Sequence, residues 1–356
     1  MKRIILTGGG TAGHVTPNLA LLPALYEKGF EVRYIGSLAG IEKGLVEKAG
    51  VPYYGIESGK LRRYFDLKNF TDPFRVQRGF FEARRILKEW RPDVIFSKGG
   101  FVAVPVVAAA RGLKIPVVIH ESDMTPGLAN KLSFPSATKV CCNFPETAKL
   151  LPPGKAVVTG CPIRRELLSG TREAGLACTG LSGIKPVVMI IGGSLGSVHV
   201  NEAVRKVLPE LLKKYDVVHL CGKGNLSEEL KDTKGYLQYE FVSDELKDVF
   251  ALADVVISRA GANAICELLA LRKPNLLIPL SAAASRGDQI LNANSFRKQG
   301  YSEVLEEEEL TDEKLLTTVR RIYEDRDMYI RNMEKSSMGD AVTVISDMLE
   351  GLAGGV

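Results

Sequence analysis

The chain has 356 residues, with 47 basic against 42 acidic side chains and a formal net charge of +5, a surplus too modest to argue for a nucleic-acid binder. Its length suits two domains of ordinary size, each able to bury its own core. The cysteines Cys141, Cys142, Cys161, Cys178, Cys221 and Cys266 show no CxxC spacing, no signal peptide fits before the first strand, and no apolar stretch reaches membrane-spanning length, so the expectation is a reduced, cytosolic protein that can still touch a membrane.

Short apolar runs alternate with helical patterns from end to end, which predicts an α/β class with parallel sheets. The strands expected in the first half are Arg3–Thr7, Val32–Gly36, Val94–Ser97, Val117–His120, Lys139–Cys142 and Ala156–Thr159. The first stops at Gly8-Gly9-Gly10-Thr11-Ala12-Gly13, a turn that opens a helix and presents backbone N–H groups where an anion is favoured. This turn satisfies GxGxxG, yet the second strand ends Tyr34-Ile35-Gly36-Ser37, without the carboxylate that a dinucleotide ribose wants. His14 follows at a helix start, where the dipole and nearby N–H groups are expected to keep it a neutral base; capping or packing the turn is its alternative role.

Lys60, Arg62, Arg63, Lys68, Arg75, Arg78, Arg84, Arg85, Lys88 and Arg91 are interleaved with Tyr64, Phe65, Phe70, Phe74, Phe80, Phe81 and Trp90. Such a segment fits an anionic lipid surface, and equally an amphipathic helix with a solvated basic face. Ser97-Lys98-Gly99-Gly100-Phe101 then reads as a second backbone anion site, opening a small-residue helix from Val102 to Ala110. The next strand delivers His120, Glu121 and Asp123 to the carboxyl edge of the sheet, the edge that lines the ligand crevice in open α/β folds. A core role for His120 and N-capping of a helix near Pro126 for Asp123 are the alternatives.

Cys161 to Lys185 reads as the linker. Beyond it the expected strands are Val187–Ile191, Val217–Leu220, Leu237–Phe241, Val255–Ser258, Leu276–Ile278 and Glu303–Leu305. Gly192 to Ser197 forms a phosphate-cradling turn without a Walker lysine. Ser258 to Ala264 leads into a helix carrying Glu267, a candidate ribose clamp, and Ser285 to Ala293 opens another helix at the same edge. Glu306–Glu309 reads as a solvated turn, and the helical tail after Thr311 is expected to pack back across both domains. Two strand-and-glycine-turn units imply two nucleotide-type domains with the chemistry in a cleft between them.

The segments TGGGTAGHVTP, SKGGFVAVPVV, HESDMTPGLANK, MIIGGSLGS, ISRAGANAICE and SRGDQILNAN, in this order and spacing, resemble the MurG-type N-acetylglucosaminyltransferases of peptidoglycan synthesis over essentially the whole chain. The resemblance implies a GT-B architecture of two Rossmann-like doubly wound domains. Residues 1–163 would take the acceptor and face the membrane, residues 164–339 would take UDP-GlcNAc, and a helix at about 340–356 would return to the first domain. The implied reaction moves GlcNAc from UDP-GlcNAc to the C4 hydroxyl of undecaprenyl-diphospho-MurNAc-pentapeptide with inversion. It would proceed on the cytoplasmic face of the bacterial plasma membrane, alongside other cell-wall synthesis proteins, in support of cell shape and division.

By the same resemblance Gly193, Ser194 and Leu195 hold the donor diphosphate, Arg164 and the backbone near Val242 the uracil, Glu267 the ribose, and Asp288 with Gln289 the sugar hydroxyls, with Ala262 also in the donor site. Thr11, Ala12, Gly13 and Asp123 join them at the reacting end of the donor, while Gly10, Thr11, Gly99, Gly100 and Phe101 meet the acceptor diphosphate. His14 is the leading base and Glu121 the runner-up. Two departures stand out: Asp123 where well-known members carry asparagine, and Ala12 where the common loop carries glycine. UDP-GlcNAc is the co-substrate, with no tightly bound cofactor. No DxD-type pair is present to hold a divalent ion, so loop N–H groups and a helix dipole at Gly193–Ser197 are the expected neutralisers of the leaving diphosphate.

A UDP-GlcNAc epimerase, a transferase making glycolipid on diacylglycerol, and a dinucleotide oxidoreductase are the competing readings. The missing acid at Ile35–Ser37 disfavours the last, and the basic aromatic segment favours a lipid-linked acceptor over the epimerase.

Overall fold

The computed structural model describes residues 1–59, 72–193, 196–282, 287–336 and 340–354, with backbone only at 72 and 73. The chain forms two compact units, one of Met1–Arg164 with Asp340–Val356, the other of Arg165–Gly339.

In the first unit the strands are β1 (Lys2–Thr7), β2 (Phe30–Ser37), β3 (Tyr53–Ile56), β4 (Val94–Ser97), β5 (Val117–Glu121), β6 (Lys139–Cys142) and β7 (Ala156–Val158). They make one sheet in the order β3-β2-β1-β4-β5-β6-β7, parallel throughout. Period-2 alternation gives both faces an apolar layer: Ile4 and Leu6 join one cluster, Ile5 the other, and all three are fully buried. The first cluster is closed by the C-terminal helix Ala341–Ala353, whose Ile345 and Leu349 are also fully buried. Lys2 and Lys28 meet Glu350 at 2.5 and 2.8 Å, and their hydrogen bonds pull its carboxyl down to about 2.

Strand β3 is absent from the sequence expectation. It has four residues and is broken by Gly55, so it shows no apolar run; the edge is held instead by the Tyr53 hydroxyl, which donates to the Ser37 carbonyl at 2.5 Å. The basic aromatic segment falls partly outside the described residues, namely Lys60, Leu61, Arg62, Arg63, Tyr64, Phe65, Lys68 and Phe70. Its remainder is the helix Asp72–Trp90, which buries Ala83, Ile86, Leu87 and Trp90 while leaving Phe74 and Phe81 exposed at 73% and 59%. Among the described residues no helix is long and apolar enough to cross a membrane.

The second unit repeats the plan with β8 (Val187–Ile191), β9 (Asp216–Leu220), β10 (Tyr236–Tyr239), β11 (Val255–Ser258), β12 (Asn275–Leu277) and β13 (Glu303–Val304), parallel in the order β10-β9-β8-β11-β12-β13. Two expectations are corrected here. The stretch taken as a linker contains the helix Arg172–Thr179, started by Thr171, whose side chain accepts from Ala174 N at 3.2 Å, and ended at Gly180 in the left-handed region. It packs on the helix Leu246–Leu252, with Arg172 donating to the Leu252 carbonyl at 2.9 Å. Nor is the acidic run uniformly solvated: it forms the 3-10 turn Glu307–Glu309, and the Glu307 side chain is only 10% exposed. In the tail, the helices Asp312–Glu324 and Arg326–Glu334 stay with the second unit, and only Ala341–Ala353 belongs to the first.

Candidate functional site

In the first unit, pairing of Thr7 with Ser97 sets the carboxyl ends of β1 and β4 side by side, at the point where the strand order reverses. A crevice forms at such a switch point because the loops leave in opposite directions. Gly100 lies at φ +84°, and a Cβ there would come within 2.4 Å of the Gly9 carbonyl, so the two loops touch through glycine backbone.

Not every N–H of these loops is available. Gly10 N donates to Glu42 Oε2 at 3.2 Å, and Glu42 Oε1 accepts from Ser37 N at 3.0 Å and Ser37 Oγ at 2.5 Å. Burial raises the Glu42 pKa, but these donors outweigh it and the net shift is downward. A carboxylate therefore stands near the end of β2, brought by the helix Ile41–Lys48, while the strand end Tyr34–Ser37 itself carries none, as read from the sequence. Its oxygens are taken by the protein's own loop, where a ribose-binding acid would be open.

His14 closes the short 3-10 turn Ala12–His14 and is half-buried. Its Nδ1 lies 3.1 Å from the Gly9 carbonyl and 3.1 Å from Thr11 Oγ1. A carbonyl cannot donate, so Nδ1 carries the hydrogen and Nε2 keeps the lone pair of a base. Burial first, and Lys98 second, push the pKa down to about 4 against smaller opposing effects of Gly9 and Glu42. The ring is neutral as expected, for a different reason than the helix dipole.

Glu121, at the end of β5, is 4% exposed. Its Oε1 accepts from Asp123 N at 3.0 Å, and its Oε2 accepts from Gly127 N and Asn130 Nδ2, both at 2.9 Å. Burial raises its pKa more than these donors lower it. Asp123 does not cap the following helix: Leu128–Ser133 has Gly127 at that position. His120 is fully buried, between Lys98 Nζ at 2.7 Å and the Gly160 carbonyl at 2.8 Å. Thr11 is exposed, Gly99 buried, and Ala12, Gly13, Gly100 and Phe101 intermediate.

In the second unit, pairing of Ile191 with Ser258 brings together the loops after β8 and β11, again where the strand order reverses. A cavity of about 720 Å³ opens there. Of the residues singled out from sequence, Gly193, Val242, Glu267 and Gln289 line it; Ala262 and Asp288 do not, and Ser194 and Leu195 lie outside the described residues. Arg164, which ends the first of the two segments that form the first unit, is exposed and is not among the lining residues. Gly196, at φ +73°, passes so close to the Cys221 carbonyl that a Cβ would fall at 2.0 Å, and Ser197 then caps the helix Val198–Leu211.

Sequence reasoning assigned no role to Arg259 or Glu307, which also line the cavity. Arg259 Nη2 donates to Glu307 Oε1 at 2.5 Å and to Ser197 Oγ at 2.6 Å, while its Nη1 donates to the Ile278 carbonyl at 3.1 Å. His199 Nδ1 adds a contact to Glu307 at 3.2 Å. Burial raises the Glu307 pKa, and hydrogen bonds from Arg259, His199 and Ser281 N reverse this, so the net shift is downward. The position of Arg259 just past a buried strand was a usable signal; Glu307 had none, since its partners are distant in sequence. Among the described residues no group of three His, Cys, Asp or Glu is placed to hold a metal ion.

Two family models match the chain: the glycosyltransferase family 28 N-terminal domain over residues 4–142 and its C-terminal domain over residues 187–348. A protein of Lachnospira eligens is 63% identical over 98% of this chain and 99% of its own length, and one of Lachnoclostridium phytofermentans is 61% identical over the same shares. Both are named UDP-N-acetylglucosamine–N-acetylmuramyl-(pentapeptide) pyrophosphoryl-undecaprenol N-acetylglucosamine transferase. The crystal structure of Acinetobacter baumannii MurG aligns with a TM-score of 0.79 at 26% identity, covering 99% of this chain and all of that one. With both halves matched and relatives this similar over their full length, the chain belongs to glycosyltransferase family 28.

Proposed function

We propose that the protein is an inverting hexosyltransferase that moves GlcNAc from UDP-GlcNAc to the C4 hydroxyl of undecaprenyl-diphospho-MurNAc-pentapeptide, a step of peptidoglycan synthesis. What carries the reading is the 63% identity, over 98% of the chain, to a relative named for that transfer. The cavity in the second unit fits the donor. Its glycine loop and helix N-terminus suit a diphosphate, and Glu267 and Gln289 supply carboxylate and amide to hydroxyls.

In this reading the uridine diphosphate binds the second unit through Gly193, Ser194, Leu195, Val242, Ala262, Glu267, Asp288 and Gln289, with Arg164 at the uracil. The acceptor diphosphate lies on the first unit, against Gly99, Gly100, Phe101 and the Gly10–Thr11 turn. Gly10 contributes shape there, because its N–H is committed to Glu42. His14 takes the proton of the C4 hydroxyl on Nε2, and Nδ1–H stays on the Gly9 carbonyl to hold the tautomer. Glu121 is better suited to anchoring the loop around Asp123 and Gly127, since three N–H groups occupy its oxygens. Charge on the departing UDP is met by loop N–H groups, without a divalent ion. The enzyme works at the cytoplasmic face of the membrane, reached through the basic aromatic segment, and cell-wall synthesis proteins are its expected neighbours.

The test follows UDP release from UDP-GlcNAc with and without a polyprenyl-diphosphate-linked muramoyl acceptor. Release that depends on the acceptor supports the reading. Equal release without it, or release only with diacylglycerol, overturns it.

A further inference from the structure

Lys98 takes no part in the reading above, yet its surroundings are unusual for a lysine. The residue is 1% exposed, and lysines are almost never fully buried unless paired. Its Nζ donates to His120 Nδ1 at 2.7 Å and to the Ser122 hydroxyl. Because His120 Nε2 faces the Gly160 carbonyl, it carries the ring hydrogen, and Nδ1 holds the lone pair that receives the lysine. Both partners are thus neutral, and among the described residues Lys98 forms no ion pair. The buried carboxylates of this unit, Glu42 and Glu121, are occupied by N–H and hydroxyl groups of their own loops. A charge buried against neutral acceptors is costly, and such groups gather at functional sites.

Its location says what the charge acts on. A Cβ on Gly8 would lie 3.3 Å from Lys98 Cβ, so the lysine stem runs against the turn after β1, and Gly100 of its own loop meets the Gly9 backbone. The field of Lys98 also reaches His14. Loop N–H groups offer only partial charges, and that of Gly10 is spoken for. In a low-dielectric interior a full charge is weakly screened and acts without contact. We propose that Lys98 is a positioning residue for the acceptor: its buried ammonium is the fixed positive charge that draws an anionic diphosphate onto the Gly8–Gly10 and Ser97–Phe101 loops and orients it beside His14. The proposal rests on the reading that the first unit takes the acceptor.

Lys98→Met removes the charge at similar volume, Lys98→Gln removes it but keeps a donor for His120, and Lys98→Arg keeps it. Each is assayed as the full chain with UDP-GlcNAc and the polyprenyl-diphosphate-linked muramoyl acceptor, with inorganic pyrophosphate as an inhibitor competing with the acceptor. The neutral variants should raise acceptor KM roughly tenfold or more and weaken pyrophosphate inhibition, with donor KM within about twofold, and Lys98→Arg should lie nearer the wild type. The His14 ring, followed by NMR, should titrate at higher pH in the neutral variants. An unchanged acceptor KM in a folded neutral variant, an equal rise in both KM values, or an unmoved His14 titration overturns the proposal. Wild-type protein that transfers nothing to the acceptor would instead overturn the functional reading, and the His14 titration would still decide where the charge acts.

Discussion

At the scale of single residues, the proposed reaction depends on which group takes the proton. Replacing His14 with alanine is expected to lower kcat by about a hundredfold or more while UDP affinity, measured by calorimetry, stays nearly constant. Burial and Lys98 hold the pKa of the ring at about 4, below the ordinary 6.5, so its base form is present above that lower value and is lost only as pH falls through it. The acid limb of kcat/KM should therefore lie near pH 4, and a limb near 6.5 would point to another base. Glu121→Gln sets an amide NH2 against groups that are themselves donors. It should destabilise the first unit by about 1–3 kcal/mol, read as a lowered Tm, with turnover of the folded fraction largely kept. A collapse of turnover at unchanged Tm would return the base role to Glu121. The sequence marked both residues through their places after apolar strands, but their roles depend on what fills their hydrogen bonds, and that is decided by Gly9, Asp123, Gly127 and Asn130 only once the chain is folded.

At the scale of elements, both candidate sites arise in the same way, from a glycine turn after the first strand of a sheet and a second loop brought beside it at the switch point. The strand runs ending at Gly8 and at Gly192 were legible because apolar residues stop abruptly at residues free to take positive φ. Tyr53–Ile56 was not, because its short edge is held by tyrosine hydroxyls rather than an apolar run. The helix Arg172–Thr179 carried its own signals in Thr171 and Gly180, which the surrounding glycines and Pro162 masked. Glu307 hid in an acidic run, since nothing local distinguishes the one glutamate that turns inward to Arg259. The donor assignment makes a prediction here: Glu267→Ala should weaken UDP binding by roughly 1–3 kcal/mol in calorimetry, by leaving polar partners unpaired. Unchanged affinity would move the ribose away from the helix Ala262–Ala270.

At the scale of the whole molecule, the proposed acceptor keeps its polyprenyl tail in the bilayer, and among the described residues no helix is long and apolar enough to cross it, so the proposal requires docking at the membrane surface. Basic side chains of the segment around Arg62, Arg63 and Arg75 would each contribute about 1 kcal/mol near anionic lipid, with exposed Phe74 adding shallow apolar contact. Sedimentation with anionic vesicles should be reversible, fall as salt rises, and drop sharply when Arg62, Arg63 and Arg75 become Glu; unaltered sedimentation would assign that segment a packing role alone. The parallel α/β class of both halves followed from the alternation of apolar runs and helical patterns, whereas their doubly wound plan came from the family resemblance and the choice of acceptor rests on similarity to named relatives. The measurement that bears on it most directly is mass and linkage analysis of the lipid product after incubation with UDP-GlcNAc and the undecaprenyl-diphosphate-linked muramoyl pentapeptide. The expected product carries one added N-acetylhexosamine, β-linked at the C4 hydroxyl and matched mole for mole by UDP; an unmodified acceptor, whether with free sugar, an epimerised sugar or no turnover, would overturn the proposed transfer.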